Sequence, residues 1–438
     1  MSRKLLIVSP HFPPINAPDH QRVRMALPWL REFGWEPTVL TVKPECVEGV
    51  RDECLTKTLP PDLRVVESDA LSVKWTRRLG VGSLAYRAGR YLKRAGDELL
   101  RRERFDAVFF STTVFPTMAF GPKWKNKFGV PYVLDFQDPW LSDYYEEHPE
   151  VRPPGGRLKY GFSRRLAQWL EPPAVREAAH IVSVSPEYPR MLQRRYPELP
   201  DDRFTTLPFG AAESDFEALP KLGVKQSLFD PHDGKVHWVY LGRGGADMGF
   251  SVRAIFTALR RFLELQPEGR AKLRVHFAGT DYSPRHLARK TIEPIAQACG
   301  VADVVSELTD RLPYFETLRC LRDADALIIP GSDDPGYTAS KLYPYILARK
   351  PLLAVFHEAS SVVDVLKKTN GGTVVTFRRG ASVEETANKI SATGWLSSPI
   401  SHLPKTDWAE FEAFTAKVMS RRLCEVFDKA TIPMRHEK

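Results

Sequence analysis

Ala326-Leu327-Ile328-Ile329-Pro330-Gly331-Ser332-Asp333-Asp334-Pro335-Gly336, followed two residues later by Ala339-Ser340-Lys341-Leu342-Tyr343-Pro344-Tyr345-Ile346-Leu347-Ala348-Arg349-Lys350-Pro351, sets the architecture of the chain. An apolar run of strand length passes into a polar turn and then into a helical start, the repeating half of a βαβ unit. The expected helix start carries the Ser340 hydroxyl and the Lys341 ammonium. A helix N-terminus offers unpaired N–H groups and a positive dipole, so the two side chains complete an anion seat suited to phosphate. The ligand class this implies is a nucleotide.

The same beat runs outward in both directions. Apolar runs at Leu5 to Val8, Thr38 to Val42, Ala107 to Ser111, Tyr132 to Asp135 and Ile181 to Val184 read as buried parallel strands. Helical patterns at Gln21 to Phe33, Leu84 to Arg102 and Gly161 to Ala178 separate them. The beat breaks near Pro208 to Ser214. It resumes with strands expected at Val236 to Leu241, Leu273 to Ala278, Val304 to Ser306, Ala326 to Ile329, Leu352 to Val355 and Thr373 to Phe377. The expected fold is α/β, with two Rossmann-like doubly wound domains facing across a cleft. The boundaries expected are 1–215, a linker at 216–235, a second domain at 236–405, and 406–438 as a terminal stretch with one helix from Trp408 to Lys429.

At 438 residues, two domains are the default. Hydrophobic content of 43% and charged content of 27% suit a globular protein. No run reaches the ~18–20 apolar residues that span a bilayer. The opening Met1-Ser2-Arg3-Lys4 leads straight into a strand and lacks a signal-peptide pattern, so a cytoplasmic protein, peripheral at most, is expected. Five scattered cysteines without CxxC spacing argue against a disulfide scaffold or a zinc site. No HxxxH or HxH spacing appears, and no cofactor or metal is expected.

Ligands of open α/β sheets bind at the carboxyl ends of strands, so the loops there carry the chemistry. Ser9 to His20 holds three prolines within five residues, at Pro10, Pro13 and Pro14, and Asp19 reads as a helix N-cap. His11 is a candidate acid, base or hydrogen-bonding group. Asp135-Phe136-Gln137-Asp138-Pro139-Trp140 places two carboxylates after an apolar strand. They could hold sugar hydroxyls or act as a base, and a helix cap with a packing Trp explains them equally well. Gly242-Arg243-Gly244-Gly245 lets backbone approach an anion that Arg243 could clamp. It is neither GxGxxG nor a Walker sequence. Thr309 to Tyr314 could wrap a nucleoside with Arg311 and Leu312, although an ordinary capped helix start also explains it.

In order and spacing these pieces resemble the GT-B-fold glycosyltransferases, and most closely the retaining family 4 in its Ser-Lys-Leu subgroup. The matching residues are Leu5 to Pro14, Gln21-Arg22-Val23, Trp35 to Thr41, Tyr132-Val133-Leu134 with Asp135 to Trp140, Val182 to Pro186, Tyr240-Leu241-Gly242-Arg243, Phe277-Ala278-Gly279, Asp323-Ala324-Asp325, Ser340 to Tyr343 and Lys350 to Ala354. The resemblance implies a nucleotide-diphosphate sugar bound in the C-terminal half by Gly242, Arg243, Gly244, Gly245, Arg311, Leu312, Asp333, Ser340, Lys341 and Leu342. It implies a carbohydrate or lipid-linked acceptor in the N-terminal half, near His11, Asn16, His20, Asp135 and Asp138. His11, Asp138, Arg243 and Lys341 are the expected catalytic residues. It also implies transfer with retention and no metal, a place in cell-surface polysaccharide or glycolipid synthesis, and a terminal helix that crosses back to the first domain. The sequence departs from the pattern at Met248, where the family has a lysine, and at Gly336 and Pro344, where it has paired glutamates. A sugar-nucleotide epimerase or hydrolase, and a non-catalytic binding protein on the same fold, stay open as alternatives.

Net charge is +9, and residues 74–104 concentrate it. Arg87, Arg90, Arg94 and Arg101 are expected in one helical stripe beside an apolar face. The stripe reads either as a solvated helix face or as a docking surface for an anionic membrane. No motif supports a nucleic-acid partner.

Overall fold

The computed structural model describes residues 2–78, 80–142, 144–147, 156–281, 287–334 and 340–432. The chain forms two compact units, Met1–Gly210 together with Ala416–Lys438, and Ala211–Thr415. Each is built on one parallel sheet with helices on both faces.

The first sheet holds β1 (Arg3–Val8), β2 (Trp35–Val42), β3 (Arg64–Ser68), β4 (Ala107–Ser111), β5 (Tyr132–Phe136), β6 (His180–Ser183) and β7 (Phe204–Thr206), ordered β3-β2-β1-β4-β5-β6-β7. Val8, the last residue of β1, pairs with Leu40 on one side and Phe110 on the other, and β2 runs on to Val42 and β4 to Ser111. On one face the helix Leu84–Arg102 packs so closely on Trp124 that a Cβ at Gly96 would enter the indole. The Trp124 Nε1–H donates to Asp97 Oδ1 at 2.7 Å, and the Tyr132 hydroxyl donates to Ala174 O at 2.7 Å. On the other face Phe427 lies edge-on to Trp35 and Phe109, with centroids 5.5 and 5.1 Å apart.

The second sheet holds β8 (Val236–Leu241), β9 (Leu273–Ala278), β10 (Val305–Leu308), β11 (Ala326–Pro330), β12 (Leu352–His357) and β13 (Thr373–Phe377), ordered β10-β9-β8-β11-β12-β13. Trp238 against Trp395 and Phe256 against Phe277 pack on one face of it, since Phe277 pairs with Tyr240 two residues on from Trp238.

Three expectations are corrected. The first unit ends at Gly210 rather than 215, and the expected linker begins as part of the second unit. There the helix Glu213–Leu222 is tied down by the Tyr314 hydroxyl, which donates to Asp215 Oδ2 at 2.7 Å. The single terminal helix is two, Trp408–Glu412 and Ala416–Thr431. The first belongs to the second unit, where Asp407 N–H donates to Thr369 O at 2.8 Å, and only the second belongs to the first unit. Finally, Arg87 leaves the expected basic stripe. It is buried and donates to the carbonyls of Cys46 at 3.1 Å and Leu71 at 2.9 Å.

Candidate functional site

A doubly wound sheet opens a crevice where its strand order reverses, because neighbouring connections leave toward opposite faces. In the second sheet that point lies between β8 and β11. The loop after β8 is pinned open by its backbone: Gly242 N–H donates to Ala278 O at 2.9 Å and Gly244 N–H to Thr280 O at 2.7 Å. The loop after β11 is joined to it. Asp333 N–H donates to Asp247 O at 2.9 Å, and the Ser251 hydroxyl donates to Gly331 O at 2.6 Å.

Cationic groups meet at this point. Arg243 donates in a fork to Asp247, Nη1 to Oδ1 at 2.9 Å and Nη2 to Oδ2 at 2.6 Å. Burial works to raise the Asp247 carboxyl, but hydrogen bonds from Arg243 and Ser332 outweigh it and hold the carboxyl below its usual range. Lys341 crosses the end of β8, where any Cβ on Gly242 would collide with its Nζ. Its Nζ donates to the Tyr240 hydroxyl at 2.7 Å and lies 4.7 Å from that ring's centroid. Burial, then the charges of Arg243 and Arg311, pull its amine down to about 7 against the pull of Asp247. The Tyr240 hydroxyl in turn donates to Arg243 O at 2.8 Å. An anion placed here would relieve this crowding of positive charge.

Around this centre the structure brings Gly242, Arg243, Gly244, Gly245, Arg311 and Lys341 together. Asp333 reaches it through its backbone while its side chain is exposed. Ser340 is exposed next to Lys341, and Leu312 is half-buried beside Arg311. Leu342 is a correction: its side chain is buried in the core and offers no ligand contact. The helix is also shorter than expected. It spans Leu342–Leu347, with Pro344 in its first turn, where the missing N–H is an orphan anyway. Gly336 lies outside the described residues.

The first sheet reverses between β1 and β4. The His11 ring Nδ1 sits 2.9 Å from Asp19 Oδ2, and Asp19 also accepts from Thr112 Oγ1 at 3.0 Å and Thr113 N–H at 3.1 Å. Burial works to raise the Asp19 carboxyl, but the charge and hydrogen bond of His11 outweigh it and hold it at about 2. Asp138 is exposed in the loop after β5. Crowding by the surrounding chain, then the charge of Asp19, push its carboxyl up to about 6. His11 is thus held on Asp19, and Asp138 feels the charge of Asp19 from the loop after β5. Asn16 is half-buried, its backbone N–H donating to Val50 O at 2.8 Å.

Two expected acceptor contacts are corrected. His20 is fully buried with one ring nitrogen 2.7 Å from Ile15 O, and burial pulls its ring down to about 4, leaving it neutral. Asp135 is also fully buried. Its Oδ2 accepts from Arg22 Nε at 2.8 Å, Ser111 Oγ at 2.8 Å and Gln137 Nε2 at 2.9 Å. Arg22 Nη2 continues to Leu207 O at 2.6 Å, so the pair clamps the end of β7 to the sheet.

Sequence reasoning passed over Tyr240, Asp19 and Glu307. Tyr240 has the look of a strand residue, and Asp19 of a cap. Glu307 is buried and accepts from Thr280 Oγ1, Thr291 N–H, Ile292 N–H and Glu293 N–H at 2.7–3.1 Å, fixing the loop after β9. Its alternation on an edge strand was the available signal. Among the described residues, no group of three or more His, Cys, Asp or Glu could hold a metal ion. No described helix is long and apolar enough to cross a membrane.

Residues 20–210 match a family model described as a glycosyl transferase 4-like domain. No curated protein matches the sequence. Among solved structures, a glycosyltransferase from Rickettsia africae is similar at 14% identity and a TM-score of 0.57, covering 98% of each chain. Anabaena HepE in complex with UDP is similar at 14% identity and 0.58, over 97% of this chain and 99% of its own. An α,α-trehalose-phosphate synthase (UDP-forming) from Burkholderia xenovorans, in complex with glucose-6-phosphate, is similar at 11% identity and 0.61, over 97% of this chain and all of its own. Over nearly its full length the chain thus has the GT-B fold of these enzymes, and residues 20–210 match a glycosyl transferase 4-like domain.

Proposed function

We propose that this chain is a glycosyltransferase that moves a sugar from a nucleotide-diphosphate sugar to a carbohydrate acceptor, free or lipid-linked. The observation that carries the reading is the meeting of Arg243, Arg311 and Lys341 at the reversal point of the second sheet, with Asp247 as their fixed carboxylate. These cations would neutralise the diphosphate as it leaves, the role a charged, preorganised site performs best. Neighbours of the same fold captured with UDP and with glucose-6-phosphate support this donor and acceptor class.

In the first unit His11, oriented by Asp19, and Asp138 would face the acceptor and the reacting sugar. A carboxyl poised near neutrality suits proton transfer from an acceptor hydroxyl. Retention at the anomeric carbon, side-chain cations in place of a metal, and a place in cell-surface polysaccharide or glycolipid synthesis complete the proposal. Isothermal titration with UDP, GDP and ADP tests it. Binding of one of them with micromolar affinity is expected, and no binding to any of them overturns it. Product analysis by NMR of the anomeric proton then reads retention.

A further inference from the structure

The helix Arg157–Glu177 is apolar on the wrong side. It packs on Phe115–Ala119 and the helix Phe120–Phe128, and its buried residues include Ala167, Glu171 and Ala174, with Glu171 accepting from Leu141 N–H and Tyr196 OH and Ala174 O from Tyr132 OH. Leu158, Phe162, Arg165 and Trp169 follow a four–three–four spacing, which places them in one row on the opposite side. They face water: Leu158 is 93% exposed, Phe162 64% and Trp169 73%. A surface helix normally turns such residues inward, and an outward apolar row marks a docking surface.

The row is continuous with the cationic stripe that remains after Arg87 turns inward. The Phe162 and Tyr86 rings meet with centroids 6.4 Å apart. From Tyr86 the exposed side of the helix Leu84–Arg102 continues through Arg90 and Arg94. No Asp or Glu occurs from Leu84 to Gly96 or from Arg157 to Trp169, while each segment carries four basic residues. Of these cations, Arg164 is paired by Glu146 at 2.6 Å and Lys93 by Asp97 at 2.9 Å, and Arg87 is buried, while Arg90, Arg94 and Arg165 are among the charges that stay exposed beside the row. Outward Leu, Phe and Trp bordered by exposed arginines are what an anionic bilayer surface recognises. The rings enter the headgroup boundary and the cations meet lipid phosphates. A protein partner of ordinary composition would present cations of its own, which the exposed Arg90, Arg94 and Arg165 repel.

We infer that Leu158, Phe162 and Trp169, bordered by Arg90, Arg94 and Arg165, form a membrane-docking ridge that seats the first unit on an anionic lipid surface. The ridge deepens the transferase reading by placing the acceptor at a bilayer, but its test does not depend on that reading.

Flotation of the full chain with phosphatidylcholine vesicles, with and without phosphatidylglycerol, tests the ridge. Binding to the anionic vesicles only, weakened by added salt, is expected. Phe162→Ser with Trp169→Ser should lower vesicle affinity at least about tenfold, and Arg90→Glu with Arg94→Glu by on the order of tenfold or more. These side chains are exposed, so thermal unfolding and nucleoside-diphosphate titration should match the parent protein in both variants. No flotation with anionic vesicles, or ridge variants that float as the parent does, overturns the inference and leaves the ridge to a protein partner. Nucleotide binding is read on the same samples, so vesicle docking and the transferase reading can fail separately.

Discussion

Lys341 Nζ donates to the Tyr240 hydroxyl at 2.7 Å across 101 residues of sequence. The bond explains how a lysine from one loop reaches the end of β8. The Lys341 ammonium lies over Gly242. A cation from the loop after β11 is thereby held beside the loop after β8.

Removing either cation should weaken nucleoside-diphosphate binding. Arg243→Ala and Lys341→Met are each expected to raise Kd about tenfold to a hundredfold, the ~1.5–3 kcal/mol typical of a charge-assisted hydrogen bond. Gly242→Ala should act in the same direction, because the added methyl occupies the position of Lys341 Nζ. Isothermal titration reads all three, and an unchanged Kd in Arg243→Ala and Lys341→Met together would exclude this crevice as the diphosphate seat.

The Lys341 amine, pulled down to about 7 from 10.5, sets the sign of two pH effects. Between these values the unfolded chain binds the extra proton, so this group's contribution to stability rises with pH across that window. A bound diphosphate favours the ammonium, so nucleotide binding should take up a proton and weaken as pH rises above about 7. Titration in buffers of different ionisation enthalpy counts that proton, and Lys341→Met should abolish the uptake.

The Arg22–Asp135 pair predicts a stability defect without a donor-site defect. Asp135→Asn or Arg22→Met leaves one buried partner uncompensated, which costs about 3–5 kcal/mol. Denaturant unfolding monitored in the first unit should show the loss. The affinity of the remaining folded protein for nucleotide should not move, since the cations lie in the second unit.

Asp138 should govern the acid limb of turnover. With its carboxyl at about 6, the rate is expected to rise with pH through that value as the carboxylate form is populated. Asp138→Asn should remove the limb and lower kcat by about a hundredfold or more while leaving nucleotide binding in place. A pH–rate profile with and without the substitution decides it.

The interior strands were legible because each is a mostly apolar run of strand length buried on both faces. Ala107–Ser111, Val236–Leu241 and Leu273–Ala278 match the sequence reading residue for residue. The two strands that escaped notice, Arg64–Ser68 and Phe204–Thr206, are sheet edges whose exposed sides admit charge and hydroxyls. The Gly242–Gly245 loop and Lys341 stood out because glycines and cations after apolar strands have few structural uses. His20, Asp135 and Arg87 misled for one reason: residue type does not say whether a polar group faces solvent or a buried partner. Each turns inward to partners far away in the chain, or to a carbonyl that carries no signature. Tyr240 and Glu307 were hidden by the converse, since their chemistry is exercised from strand positions that apolar patterning claims first.

The helix Ala416–Thr431 covers Trp35 and Phe109 through Phe427, yet the whole second unit is synthesised before it. The first unit is thus encoded in two separated pieces. On the ribosome its early strands can pair while one face of their sheet waits uncovered, and the second unit, continuous in sequence, can finish folding ahead of it. Order of synthesis and order of completion are reversed in this chain. A nascent chain arrested before Ala416 should therefore present a protease-resistant second unit beside a first unit that is still open to cleavage.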